Sequence, residues 1–282
     1  MPPGPAMMTF TRLLVLGLGL FAFARTARAA AEFTVPIEVG PLGRAPGSAR
    51  TLTFDRAVLK SSRRFDVQDG HEHIVRGVTL RELVALAKAP KSVDAAVFSF
   101  VDGMQIPVRL ADKDEVEAIF IALEHGDPME RYTSTYPLLN KAEWPCPKIV
   151  YSRPITTYSI WLYPTQLASI KLVSWKTYEA ALAQPTRKLP DRSGWPLYLK
   201  HCQACHGIGQ VGATRAPDFL SDMEAYRRVP PLAATDVSQH PSLHEKVKGF
   251  TEGTMPVLNH VSNAEIATLW RWLHAIHASA TK

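Results

Sequence analysis

Short apolar segments separated by polar turn residues run along the chain between residues 30 and 183. Four segments are apolar or alternate apolar with polar positions, as β-strands do: residues 51–54, 95–100, 159–163 and 170–173. Apolar side chains at helical spacing around Leu80 to Ala87 predict one helix, and residues 116–123 predict another. Strands interleaved with short helices predict an α+β domain over residues 30–183.

The last third of the chain has a helical pattern at both of its ends. Residues 193–201 predict a short helix with Pro196 in its first turn, where proline is tolerated. Ser262 and Glu265 have the spacing of a capping box and predict the start of a final helix. Residues 184–191 are polar and bounded by prolines, so we interpret them as a linker before a second domain over residues 192–282.

The first 29 residues have the pattern of a signal peptide. Arg12 precedes an uncharged apolar run over residues 13–24, and Ala27-Arg28-Ala29 matches a small-x-small cleavage site. Such a run rises only about 18 Å as a helix, well short of the roughly 30 Å of a membrane's hydrocarbon layer. We therefore expect an exported, soluble protein of the periplasm with no transmembrane segment in the mature chain.

The composition argues against a disordered protein, and the charge argues against a nucleic-acid-binding protein. With 46% hydrophobic and 21% charged residues, the 282-residue chain is an ordinary globular protein of about two domains. Its formal net charge is +6, but residues 1–29 hold three arginines and no acidic residue, so cleavage would lower the charge to +3. A nearly neutral chain gives no reason to expect nucleic-acid binding, which requires a clustered basic surface.

The strongest chemical signal is Cys202-Gln203-Ala204-Cys205-His206, the C-x-x-C-H pattern of covalent c-type haem attachment. Two thiols at this spacing can form thioether bonds to one porphyrin, and the next residue can ligate the iron. The alternatives for the two cysteines are a thioredoxin-like redox pair and half of a zinc site. No second C-x-x-C exists, since Cys146 is the one other cysteine. We predict one covalent haem c.

A sixth iron ligand is expected later in the chain. Met255 lies between glycine and proline residues, on a loop from which its thioether could reach the iron. Met223 has charged neighbours that suit an exposed helix. Three histidines could instead give bis-histidine ligation: His240, His244 and His260. We predict His206 and Met255 as the metal ligands.

From residue 190 to the C-terminus the sequence resembles the class I c-type cytochromes. The shared features are C-x-x-C-H, the Pro217-Asp218 segment, Gly-Thr-Met-Pro around Met255, and a closing helix. The resemblance implies an all-α domain. It also implies that the Pro217 carbonyl accepts the Nδ1–H of His206 and orients its ring.

The first domain resembles the sulfite-oxidase-like, molybdopterin-binding fold. Three stretches carry the resemblance: residues 77–83, 100–112 and 163–170. That family ligates molybdenum with one cysteine in a Gly/Asn/Arg-containing context. Cys146, in Trp-Pro-Cys-Pro-Lys, lacks this context, so we expect a cofactor-free scaffold that docks a redox partner. His71 and His73 form an H-x-H pair in a predicted solvated loop.

A domain of this type followed by a cytochrome c resembles a set of bacterial periplasmic haem proteins. We therefore expect an electron carrier that takes single electrons from a periplasmic dehydrogenase and passes them to a cytochrome or terminal oxidase. With both axial positions of the iron filled, no catalytic residue is predicted. A haem-containing molybdenum oxidoreductase and a haem-based sensor are the alternatives.

Overall fold

The computed structural model describes residues 32–39, 49–66, 71–125, 147–152, 166–187, 189, 191–220 and 261–280. These residues form a mixed α/β structure in which sheets dominate. The described strands are β1 (Glu32–Val39), β2 (Ala49–Asp55), β3 (Lys60–Asp66), β4 (His71–Thr79), β5 (Ala95–Phe100), β6 (Gln105–Arg109), β7 (Ile119–His125), β8 (Lys148–Tyr151), β9 (Leu167–Val173), β10 (Gly207–Ile208) and β11 (Val211–Gly212). The described helices are α1 (Leu80–Leu86), α2 (Lys113–Ala118), α3 (Trp175–Ala183), α4 (Gly194–His201) and α5 (Asn263–Ala280).

Two sheets build the part of the molecule before α4. A five-stranded sheet has the order β2-β1-β9-β5-β6, with β1 parallel to β9 and the other neighbours antiparallel. The strands β3, β4, β7 and β8 close into a small antiparallel barrel. The predicted strands over residues 51–54, 95–100 and 170–173 are confirmed, since they lie in β2, β5 and β9.

The strand β5 is apolar except at Ser99, since both of its faces are buried. Ala96 and Phe98 join a first hydrophobic cluster, which packs the sheet against the barrel and α1. Ala95 and Val97 join a second cluster, which packs the opposite face against α3, α4 and α5. Successive side chains of a strand point to opposite faces, so one strand contributes to both cores.

One predicted helix is wrong. The helix expected over residues 116–123 ends at Ala118, and β7 begins at Ile119. Residues 119–123 are all buried, and β7 lies between β4 and β8 in the barrel. An apolar run of this length does not distinguish a buried strand from a buried helix, and its β-branched and aromatic residues favour the strand.

The expected all-α fold of residues 192–282 is also wrong. Directly after His206 the chain forms the hairpin β10–β11, so the described residues show no all-α cytochrome fold. Gly209 and Gln210 at its tip both have positive φ, +62° and +65°, as a type I′ turn requires. The Asp218 carboxylate accepts hydrogen bonds from the backbone N–H groups of both residues, which stabilises the hairpin.

Two described residues of the predicted linker are buried, whereas Gln184, Arg187 and Asp191 are exposed. Thr186 is fully buried, and Leu189, 7% exposed, packs in the second hydrophobic cluster. The domain boundaries therefore stay predictions. Among the described residues, no helix combines the length and the apolar character that a membrane crossing needs.

Candidate functional site

The helix α4 positions the C-x-x-C-H motif. It ends at His201, and the chain turns through Cys202 to Cys205. The N–H of His206 donates to the Cys202 carbonyl at 2.9 Å, which closes the turn. Both thiols are free, with no disulfide between them. A single tight turn therefore presents two unpaired sulfurs and an imidazole.

Burial favours the protonated form of both thiols. It raises the pKa of Cys202 to about 12. Burial is also the largest cause raising the pKa of Cys205, although the Arg215 charge opposes it. A nucleophilic or metal-bound cysteine is a thiolate with a lowered pKa. These surroundings therefore do not suit a thioredoxin-like pair. Among the described residues, no group of three His, Cys, Asp or Glu side chains could hold a metal ion.

The His206 ring is held in the state that a metal ligand needs. Its Nδ1 lies 2.8 Å from the Pro217 carbonyl oxygen, which can only accept, so Nδ1 carries the hydrogen. Burial lowers the pKa of His206, although the Pro217 hydrogen bond opposes the shift. In the neutral ring with Nδ1 protonated, the lone pair is on Nε2. The Phe219 ring stacks on the imidazole, with centroids 4.5 Å apart and planes 8° apart.

Two residues that the sequence analysis did not assign to the site support its backbone. Tyr198 on α4 donates its hydroxyl hydrogen to the carbonyl oxygen of His206 at 2.9 Å. Asp218, next to Pro217, accepts from Gly209 and Gln210 at 3.0 and 2.8 Å. An aspartate directly after a proline is a turn signal, so the sequence contained a hint of the second role. No local signal identifies the first.

The residues present fit a covalently bound haem. Cys202 and Cys205 are unpaired thiols on one turn, and His206 is a neutral imidazole with its lone pair on Nε2 and its ring fixed by Pro217. A porphyrin attached to both sulfurs needs such a donor set. Cys202, Cys205 and His206 would hold the group, and Pro217 would orient the proximal ring.

Several predicted residues lie outside the described part of the chain. They are Met255, its alternatives Met223, His240, His244 and His260, and also Cys146 and the predicted signal peptide.

The H-x-H pair of His71 and His73 lies at the start of β4 and not in a loop. His73 Nδ1 lies 3.1 Å from His125 Nε2 across to β7, a contact that the sequence analysis did not anticipate.

Comparison with known families locates one domain. Residues 190–273 match the family model of the cytochrome c oxidase cbb3-type subunit III, which is less than a third of the chain. No curated protein matches the chain. The C-terminal region therefore holds a cytochrome c domain, which implies electron transfer through a haem.

Proposed function

We propose that the chain is a monohaem c-type cytochrome of the periplasm that passes single electrons between redox proteins. Cys202 and Cys205 would hold its haem covalently, and His206 and Met255 would ligate the iron. When bound, the haem iron supplies one-electron chemistry by alternating between the ferric and ferrous states. The observation that carries the proposal is the hydrogen bond of His206 Nδ1 to Pro217 beside two unpaired thiols.

Each residue of the site has a distinct task in this proposal. Thioethers from Cys202 and Cys205 retain the cofactor. The Pro217 carbonyl fixes the proximal ring and increases its basicity as a ligand. Met255 would be the second protein ligand of the iron and would leave no position for a substrate. The donor is a periplasmic dehydrogenase and the acceptor a cytochrome or terminal oxidase, while the first domain docks the partner.

Covalent attachment is tested by the mass and spectrum of protein made with a c-type cytochrome maturation system. We expect the mass to exceed that of the polypeptide by one haem, and a pyridine haemochrome spectrum of the c type. Replacing both Cys202 and Cys205 by alanine should abolish attachment. Cys146→Ala, the matched control, should retain one haem. A mass equal to the bare polypeptide would contradict the proposal.

The sixth ligand and the cofactor content separate the proposal from its alternatives. Native reduced protein should not bind carbon monoxide, whereas Met255→Ala should bind it and shift the Soret band. Carbon monoxide binding to the native protein would indicate a sensor with an exchangeable position. Stoichiometric molybdenum in the purified holo-protein would instead indicate an oxidoreductase.

A further inference from the structure

The turn between β5 and β6 is hydrogen-bonded to the backbone of the haem-binding segment at two places. The N–H of Gln105 donates to the Ala204 carbonyl at 3.0 Å, and Ala204 lies between the two cysteines. The N–H of Thr214 donates to the Gly103 carbonyl at 2.9 Å, in the segment that leads to Pro217. The sheet therefore contacts the segment on both sides of the hairpin β10–β11.

This contact is closely packed. Gly103 has a φ of +86°, and a Cβ there would lie 2.7 Å from Thr214 Oγ1 and 2.8 Å from the Arg215 nitrogen. Ala204 is fully buried in the first hydrophobic cluster, and Cys205 packs against the same cluster. A glycine is required where the two backbones approach this closely. The first domain thus covers the Cys205 side of the motif.

An ion pair crosses the contact. Arg215 Nη1 lies 2.7 Å from Asp102 Oδ2, and their side chains are 25% and 21% exposed. The same nitrogen lies 2.7 Å from the sulfur of Met104, which is buried. The other oxygen of Asp102 accepts from the Met104 N–H at 3.1 Å, which fixes the carboxylate. Charges in such a partly buried position are screened less by salt than surface charges.

The charge pair lies beside the backbone of Cys205, whose sulfur would bind the porphyrin. The backbone N–H of Ala216, the next residue after Arg215, donates to the carbonyl oxygen of Cys205 at 2.9 Å. The two side chains are therefore within electrostatic range of this sulfur, and of any group attached to it.

We propose that Asp102 and Arg215 form a charge pair, one residue from each domain, that sets the reduction potential of the haem. The inference rests on the proposed attachment of haem at Cys205. Oxidised haem carries one more positive charge than reduced haem, so a nearby cation raises the potential and a nearby anion lowers it. Asp102 partly cancels the effect of Arg215, so the first domain tunes the redox centre and is not only a docking surface. Both are positioning residues, since neither ligates the iron.

The test is a spectroscopic redox titration of full-length holo-protein variants. Asp102→Asn keeps the acceptor for the Met104 N–H and removes only charge, so the potential should rise. Arg215→Gln should lower it, and the double variant should lie between the two single variants. Glu117→Gln and Arg81→Gln, which break an exposed pair in the same domain, should leave the potential unchanged.

A charge effect must be distinguished from a packing effect at the same position. Arg215→Lys keeps the positive charge but not the planar guanidinium, so its potential should stay close to that of the native protein. If Arg215→Lys shifts the potential as far as Arg215→Gln, or if Asp102→Asn leaves it unchanged while haem is bound, the inference is overturned. Protein that carries no haem at all would instead overturn the proposed function.

Discussion

At the scale of single residues, one buried tyrosine hydroxyl is hydrogen-bonded to the backbone of the C-x-x-C-H motif. Tyr198 is fully buried and donates its hydroxyl hydrogen to the carbonyl oxygen of His206. Tyr178, in the same cluster and only 1% exposed, has a hydroxyl without a hydrogen-bond partner among the described residues. These two tyrosines allow the effect of a buried hydrogen bond to be separated from that of a buried ring.

We expect Tyr198→Phe to lower the free energy of unfolding by about 1–3 kcal/mol, because the buried His206 carbonyl loses this donor. Tyr178→Phe should leave the free energy unchanged or raise it slightly, since it removes a buried hydroxyl that makes no described bond. Urea denaturation of both holo-proteins, followed by circular dichroism, measures the difference. Equal losses in the two variants would argue against a role for the hydrogen bond.

At the scale of elements, the helix that leads into the motif packs directly on the last helix. The helices α4 and α5 meet at Gly194, where a Cβ would lie 2.3 Å from the Cβ of Trp272. Trp272 is fully buried, and its indole packs near the rings of Trp195 and Tyr198. Because the indole has no free space to move into, only glycine permits this approach.

Gly194→Ala should therefore lower the free energy of unfolding by about 1–3 kcal/mol, since the added methyl group overpacks the helix contact. The change is measured by urea denaturation, with tryptophan fluorescence as a second probe because Trp272 lies at the contact. The control is Ser193→Ala, an exposed position next to it, which should change the free energy by about 0.5 kcal/mol or less. A neutral Gly194→Ala would mean that α4 and α5 can move apart without cost.

At the scale of the whole molecule, the cytochrome c domain and the sheet share one hydrophobic core. The second cluster contains Val97 and Val173 from the sheet, Leu182 from α3, and Tyr198 and Trp272 from the cytochrome c domain. A shared core of this kind couples the two parts, because neither can unfold without exposing apolar surface of the other.

Leu182→Ala should lower the free energy of unfolding by about 2–5 kcal/mol, since it leaves a cavity in the shared core. The urea unfolding transitions followed by far-ultraviolet circular dichroism and by the Soret band of the haem should both shift to lower urea. Their midpoints should coincide. Leu86→Ala, 54% exposed on α1, should leave both midpoints nearly unchanged. A Soret midpoint that stays constant while the dichroism midpoint falls would show that the domains unfold independently.

The sequence by itself determined the features that depend on neighbouring residues. Cys202, Cys205 and His206 are recognisable as a haem-binding motif in the sequence because so few residues separate them that they lie on one turn. The start of α5 was equally predictable, since the hydrogen bonds between Ser262 and Glu265 span three residues. Such local interactions leave a spacing signal that tertiary structure does not alter.

Only the tertiary structure decided the features that depend on distant residues. Residues 119–123 form a strand by pairing with β4 and β8, and the apolar periodicity of the run alone does not distinguish a strand from a helix. The hairpin after His206 depends on Asp218, which reaches back to its tip. Arg215 contacts Met104, 111 residues away, in a separate predicted domain. Contacts at such separation have no spacing signal in the sequence, because folding alone brings the residues together.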